Sequence, residues 1–290
     1  MTVAKGSVTA LIDFHDCPRK WAFRHSLRLE PARRPHNLAS GTAVHAAIGE
    51  TLKRIAGGQP ADKAIAHMHD TLAELLLFRE FAGDDKATER VAKYLPGVQR
   101  ALKQCPEWLW GSAWHVEEDL SLPVATVGSG LVLTGRPDLY RTLLSEEGDL
   151  VVELVEIKTT DNPPLDYLLW NPQHRYYAVM LQALYPTALV RFRYLCLPTQ
   201  GKAKDHIPWA LTDKLYETTV RELTHRCCLL LQSMGRMALE QPNYGSRCKW
   251  CDFAPLCQTQ LTGGSLESAI DSEFVHRPPR PVDKPTVGVV

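Results

Sequence analysis

The stretch GRPDLYRTLLSEEGDLVVELVEIKTT, residues Gly135 to Thr160, sets two acids and a lysine among valines and leucines. The apolar residues read as two short strands, and Ser145-Glu146-Glu147-Gly148-Asp149 between them reads as a turn. Strand side chains alternate faces, so Glu156 and Lys158 project to the same side of one strand. An antiparallel hairpin would bring Asp138, on the preceding strand, beside Glu156. An unpaired charge in such surroundings is costly, so the three must answer one another or a ligand. Two readings follow. Two carboxylates at one spot repel unless a cation lies between them, and a divalent metal with oxygen ligands meets that need. Lys158 would then steady the charge developing on an attacked phosphate, which describes phosphodiester hydrolysis. The other reading is a buried Glu156–Lys158 salt bridge with Asp138 satisfied by backbone amides.

Outward from this hairpin, segments near 114–124, 131–142, 150–159 and 187–197 read as strands of one central sheet. Between the last two, Asn171 can cap a helix, Pro172 suits its first turn and Pro186 marks its end. Upstream, SVTALIDFHDCPRKWAFRHSLRL reads as a helix interrupted at Cys17-Pro18. From Gly41 to Ala56, Val44, Ile48, Leu52 and Ile55 recur at helical spacing with His45 among them, and helical patterns follow near 61–82 and 86–104. A long helix near 212–240 and a cysteine-bearing loop at 245–260 come after the sheet. The expectation is one domain over 1–263: a helical part at 7–104, a sheet core at 114–200, and the helix and cysteine loop at 211–260. Beyond Gly263-Gly264 the chain is proline-rich, and 264–290 reads as a flexible tail.

The 290 residues are 44% hydrophobic, enough for a substantial core. No apolar run approaches the roughly 20 residues of a membrane span, and the N-terminus lacks a secretory apolar stretch, so no membrane contact and a cytoplasmic, intracellular setting are expected. Lys+Arg and Asp+Glu both total 33, so attraction of a polyanion must come from local clusters. Arg19, Lys20, Arg24, Arg28, Arg33 and Arg34 form one, with Glu30 the single acid among them. It reads as a solvated helix face or as a nucleic-acid contact. Of eight cysteines, Cys248, Cys251 and Cys257 gather late, and clustered cysteines in an intracellular chain point to metal rather than disulfides.

Three further positions have two readings each. His45 is a packed helix residue or a nitrogen ligand completing a mixed metal shell. Gln173 and Tyr177, four apart, share a helix face, for packing or for holding a phosphate or base.

In order, the histidine of GTAVHAAIGE, the GRPD with Asp138, the EIK at Glu156 to Lys158, and QHRYY with Gln173 and Tyr177 resemble the four motifs of RecB-type PD-(D/E)XK nucleases. The resemblance covers about residues 7 to 260. It implies an α/β, restriction-endonuclease-like core, a mixed central sheet flanked by helices. It further implies that His45, Asp138, Glu156 and the Ile157 carbonyl bind Mg²⁺ or Mn²⁺, that Lys158 assists attack, and that Gln173 and Tyr177 border the DNA path. Cys248-x2-Cys251-x5-Cys257 with the early Cys17 resembles the iron–sulfur subgroup that includes AddB, exonuclease V and the CRISPR-adaptation nucleases. There four thiolates hold a [4Fe-4S] cluster that clasps N- and C-terminal elements; four cysteines equally suit structural zinc.

The expected function is a metal-dependent DNase, an exonuclease on single-stranded DNA in recombination, repair or replication. Arg19, Lys20 and Arg24 would line the strand's path. The sequence holds no Walker-type loop, so a helicase or recombination partner would act in trans. The rival readings are a catalytically inactive DNA-binding or scaffold protein on the same fold, and a nuclease acting on RNA.

Overall fold

A computed structural model describes residues 4–32, 36–82, 84–111, 113–126, 129–160, 168, 170–234 and 242–278. The chain divides into two compact units. One comprises Met1–Arg34, Leu120–Gly135 and Glu217–Val290; the other comprises Pro35–Asp119 and Arg136–Tyr216.

The second unit contains a five-stranded sheet, in spatial order His115–Val116, Leu139–Leu144, Leu150–Lys158, Leu189–Cys196 and Lys204–Ala210. Leu150–Lys158 runs antiparallel to Leu139–Leu144 and parallel to Leu189–Cys196, so the sheet is mixed. Its residues 151–157 are all buried, as expected of a strand covered on both faces. The helix Pro172–Leu184 connects the parallel pair. The Asn171 side chain accepts the Gln173 amide at 3.0 Å and Pro172 fills the first turn, where its missing N–H has no intrahelical partner to lose. The helices His36–Ala56, Ala73–Glu80 and Ala87–Lys103 contribute Val44, Ile48, Leu77 and Val98 to a core shared with Val155, Ile157 and Leu195 of the sheet. Each such side chain contributes about 1.5–3 kcal/mol by leaving water.

The first unit has a three-stranded sheet in the order Ala4–Ser7, Ser129–Gly135, Leu120–Thr126, with the first pair parallel and the second antiparallel. Ser7 caps the helix Val8–Asp16 by accepting the Ala10 amide at 3.0 Å, and the chain turns extended at Cys17 before Pro18–Trp21 restarts as helix.

Three sequence expectations are corrected. The 131–142 strand is two strands, Ser129–Gly135 and Leu139–Leu144, in different sheets. Pro137 between them has no amide to continue a ladder. The 114–124 strand divides likewise into His115–Val116 and Leu120–Thr126 around Glu117, whose φ is 48°. Within the expected tail, Leu266–Glu273 is a helix capped by Ser265, and Phe274–His276 pairs antiparallel with Leu29–Pro31. Phe274 anchors this segment by stacking on Phe253, ring centres 5.6 Å apart. The rest of the expected tail, 279–290, and residues 235–240 of the expected 212–240 helix lie outside the described residues; the helix observed there is Asp213–Met234.

Candidate active site

The Leu139–Leu144 and Leu150–Lys158 pairing, with Leu139 opposite Val155, places Asp138 at the edge of the Glu156 strand. Asp138 lies just past the ladder and docks through its side chain: Oδ2 accepts the Ile157 amide at 2.8 Å. The Asp138 carbonyl accepts the Glu117 amide at 3.0 Å, fixing the turn from the other side. His45, on the helix His36–Ala56, brings Nδ1 to 3.4 Å from Asp138 Oδ1. Gly41, one turn earlier, permits the approach, since a Cβ there would stand 3.0 Å from Thr159 Oγ1. A cleft of about 600 Å³ adjoins His45, lined also by Leu38, Thr42, Arg79, Glu80 and Glu117.

Glu156 is 2% exposed, and its Oε1 is in ion-pair contact with Lys158 Nζ. Burial, reinforced by the nearby Asp138 charge, pushes the Glu156 carboxyl up to about 7 despite that contact. Burial acts to raise Asp138 too, but His45, Lys158 and the Ile157 amide outweigh it and hold that carboxyl below the ordinary range. Lys158 is held above the ordinary lysine range because Glu156 and Asp138 outweigh its desolvation. His45 is likewise raised, with Asp138 overcoming burial.

Sequence reasoning passed over His174, although it lies in QHRYY. It is 1% exposed, stacks on Phe192 at 4.5 Å between ring centres, and has Nδ1 3.8 Å from Glu156 Oε2. Burial, with the Lys158 charge, drives it down to about 3, so the ring is neutral. The missed signal was its place on the crossover helix that follows the acid-bearing strand, a polar residue that the helix turns toward Glu156. Gln173 Nε2 donates to Tyr177 Oη at 3.3 Å. Tyr177 is 3% exposed, so its ring is packed and offers no stacking platform; Gln173 is half-buried.

The expected DNA-path cations have structural partners. Arg19 is buried and bonded to Cys257, Lys20 pairs with Asp13 at 2.6 Å, and Arg24 pairs with Asp13 at 3.0 Å and Asp252 at 2.5 Å. Asp13 gathers Lys20, Arg24 and His25, which together outweigh its burial and hold its carboxyl far below the ordinary range. Arg33 and Arg34 lie outside the described residues.

Cys17, Cys248, Cys251 and Cys257 all belong to the first unit and are free. Burial raises the Cys251 and Cys257 thiols; the Cys17 charge acts on both, and that of Cys248 on Cys257. Cys105 and Cys227 are pushed up to about 12 by burial, as inert packing thiols are.

Among the described residues, no three of His, Cys, Asp and Glu are arranged as a ready-made cation cage. The donor types nevertheless suit a hard divalent cation at the sheet: His45 pairs with Asp138, and the raised Glu156, which feels the Asp138 charge, is an electrostatic cost that a cation would relieve. At the cysteines the donor set suits a soft metal centre, without the arrangement to hold one as it stands.

No helix among the described residues is long and apolar enough to cross a membrane. No curated protein matches the sequence. Among the solved structures that are similar, two show the level of likeness. The structure of SSO0001 is 14% identical with a TM-score of 0.39, covering 89% of this chain and 87% of that one. That of a candidate exonuclease from Eubacterium rectale is 11% identical with a TM-score of 0.45, covering 89% and 93%. The family model of the PD-(D/E)XK nuclease superfamily matches residues 5–258, a span that holds Asp138, Glu156 and Lys158 in order. With that match over most of its length, the chain belongs to the PD-(D/E)XK nuclease superfamily.

Proposed function

We propose that this nuclease is a divalent-metal-dependent deoxyribonuclease that degrades single-stranded DNA from an end, in recombination, repair or replication. The observation that carries the reading is Glu156, a nearly inaccessible carboxyl with its pKa raised to about 7, beside a second acid and in contact with one lysine. A Glu156–Lys158 salt bridge with Asp138 held by the Ile157 amide accounts for those three and leaves the raised Glu156 carboxyl, and the approach of His45 to Asp138, without a role. Asp138, Glu156, His45 and the Ile157 carbonyl would hold Mg²⁺ or Mn²⁺, which supplies charge neutralisation and an activated water. Lys158, partly exposed and firmly protonated, faces the developing charge on an attacked phosphate. Neutral His174 packs against Glu156 and limits its freedom. Gln173, whose amide is aligned by Tyr177, meets the strand's backbone.

A [4Fe-4S] cluster on Cys17, Cys248, Cys251 and Cys257 belongs to the same reading, with zinc as the alternative. It is supported by the four thiols' placement in one unit, where the Asn243 side chain donates to the Asp16 carbonyl at 3.1 Å and Arg247 contacts Asp16. Strand separation would come from a helicase or recombination partner in trans.

The test is incubation of anaerobically purified protein, after iron and zinc assay, with end-labelled single-stranded DNA, double-stranded DNA and RNA in Mg²⁺ or Mn²⁺. Shortening of single-stranded DNA from one end is expected. Cutting of RNA alone would make the chain a ribonuclease, and binding without cutting an inactive DNA-binding protein.

A further inference from the structure

The helix Pro172–Leu184 delivers one buried polar ring to the strand that carries Glu156. The His174 ring stacks on Phe192, ring centres 4.5 Å apart and planes 19° apart, and lies edge-on to Tyr194 at 6.5 Å. Tyr194 stands opposite Glu156 in the parallel pairing, so the histidine packs on the sheet face that carries Glu156. That packing fixes the ring and leaves its polarity unexplained, since a phenylalanine would stack as well. Neither ring nitrogen has a hydrogen-bond partner among the described residues, although His174 is 1% exposed. A buried donor without an acceptor is costly, and such groups are rare in folded proteins. Nδ1 stands 3.8 Å from Glu156 Oε2, while Glu156 Oε1 is in contact with Lys158 Nζ. A hydrogen bond of about 2.7–3.0 Å needs the carboxyl to close by roughly 1 Å, within reach of a side-chain rotation.

We propose that His174 is a positioning residue: when Glu156 is ionised and holds a divalent cation, the His174 Nδ1–H donates to Glu156 Oε2 and fixes the carboxylate in one orientation. A bond of this kind behind a metal-ligating carboxylate sharpens its geometry and its affinity for the metal. The ring suits the task because it is neutral, held below the ordinary histidine range by burial and the Lys158 charge. A second cation beside Glu156 would compete with the metal for the carboxylate, whereas a neutral N–H directs one oxygen and leaves the negative charge in place. The inference rests on the nuclease reading for the metal itself.

The experiment titrates Mn²⁺ into the full chain, without DNA, by calorimetry. Glu156→Gln marks which binding belongs to this site. His174→Phe, which keeps a ring to stack on Phe192 and loses the donor, is expected to bind Mn²⁺ about ten- to a hundredfold more weakly than the parent. His174→Asn, whose side-chain amide stands in for Nδ1–H, is expected to recover to within about threefold. Circular dichroism verifies folding, and His174→Leu serves as the donorless variant if His174→Phe does not fold. Parent affinity in a folded donorless variant would overturn the proposal, as would an equal loss in His174→Asn, which would make the role one of ring shape. Parent binding no tighter than that of Glu156→Gln would overturn it too. The two readings fail separately. Weaker Mn²⁺ binding by the donorless variants, rescued in His174→Asn, with no DNA cutting by the parent upholds the positioning role and removes the nuclease reading; cutting by the parent with undiminished Mn²⁺ affinity in the variants does the reverse.

Discussion

Glu153 and Glu156 lie on the same strand, three residues apart, both sealed from solvent and facing opposite sides of the sheet. Glu153 is met by three guanidinia: Arg141 at 2.5 Å, Arg191 at 2.8 Å and Arg193 at 2.9 Å. They outweigh its burial and hold it below the ordinary range. Glu156 has one lysine, a neutral histidine and a second acid for company, and stands at about 7. Glu153 is overcompensated, as suits an acid that serves the fold, whereas Glu156 is left short of positive charge, the shortfall that a cation would fill under the proposed nuclease reading.

Substitution breaks this contrast most sharply in catalysis. Glu156→Gln is expected to lower cleavage by at least about a thousandfold, with urea unfolding showing a stability change within about 1 kcal/mol, because the lost group is one the apo fold tolerates poorly. Asp138→Asn should act similarly. Parent turnover in either variant at saturating Mn²⁺ would remove the active-site assignment.

The converse holds for Glu153→Gln. Leaving three guanidinia without their carboxylate should destabilise the protein by about 3–5 kcal/mol in denaturant titration. Any activity loss should disappear on cooling to where the variant is fully folded. A stable Glu153→Gln variant would show that the arginines find other partners and that the contrast is false.

The two acids should also impose opposite pH trends on the stability of metal-free protein. Glu156, raised above its unfolded value near 4.3, binds protons in the native state that the unfolded chain has lost, so its contribution falls as pH rises from about 4.3 to 7. Glu153, lowered, contributes stability above about 4.3 that is lost as pH falls through its folded value. Difference curves of parent against Glu156→Gln and against Glu153→Gln should therefore slope in opposite directions, and Mn²⁺ should flatten only the first. Curves of the same sign would refute the distinction.

The smallest effect is expected at Gln173. Gln173→Ala should weaken strand binding in Ca²⁺ by about five- to tenfold while leaving Mn²⁺ affinity unchanged. A loss of Mn²⁺ affinity instead would place Gln173 in support of the metal site.

Much of the site follows from local rules. Alternation along a strand put Glu156 and Lys158 on one face, the Ser145–Asp149 turn implied the hairpin that carries Asp138 to that strand, and Asn171-Pro172 marked the start of the crossover helix. The break at Cys17-Pro18 was legible for the same reason, since a proline's missing amide acts on its immediate neighbours. These effects depend on residues within about four positions of each other.

Which charges remain available was decided only by tertiary structure. Arg19, Lys20 and Arg24 read as a basic face, yet Asp13 and Asp252 claim Lys20 and Arg24, and Arg19 is buried against Cys257; the Arg24–Asp252 contact spans 228 positions. Glu153 gave no sequence sign of its three arginines, two of which arrive on the next parallel strand after the crossover. Residues 265–276 lack strand periodicity, and their helix and strand form because Phe274 finds Phe253 and the edge at Leu29–Pro31. The sequence by itself determined the strand that places Glu156 and Lys158 on one face and the capped start of the crossover helix, because these depend on local backbone geometry. Whether a buried charge is satisfied or left wanting depends on partners that only the folded chain brings within a few ångströms, where Coulomb interactions and desolvation decide its state.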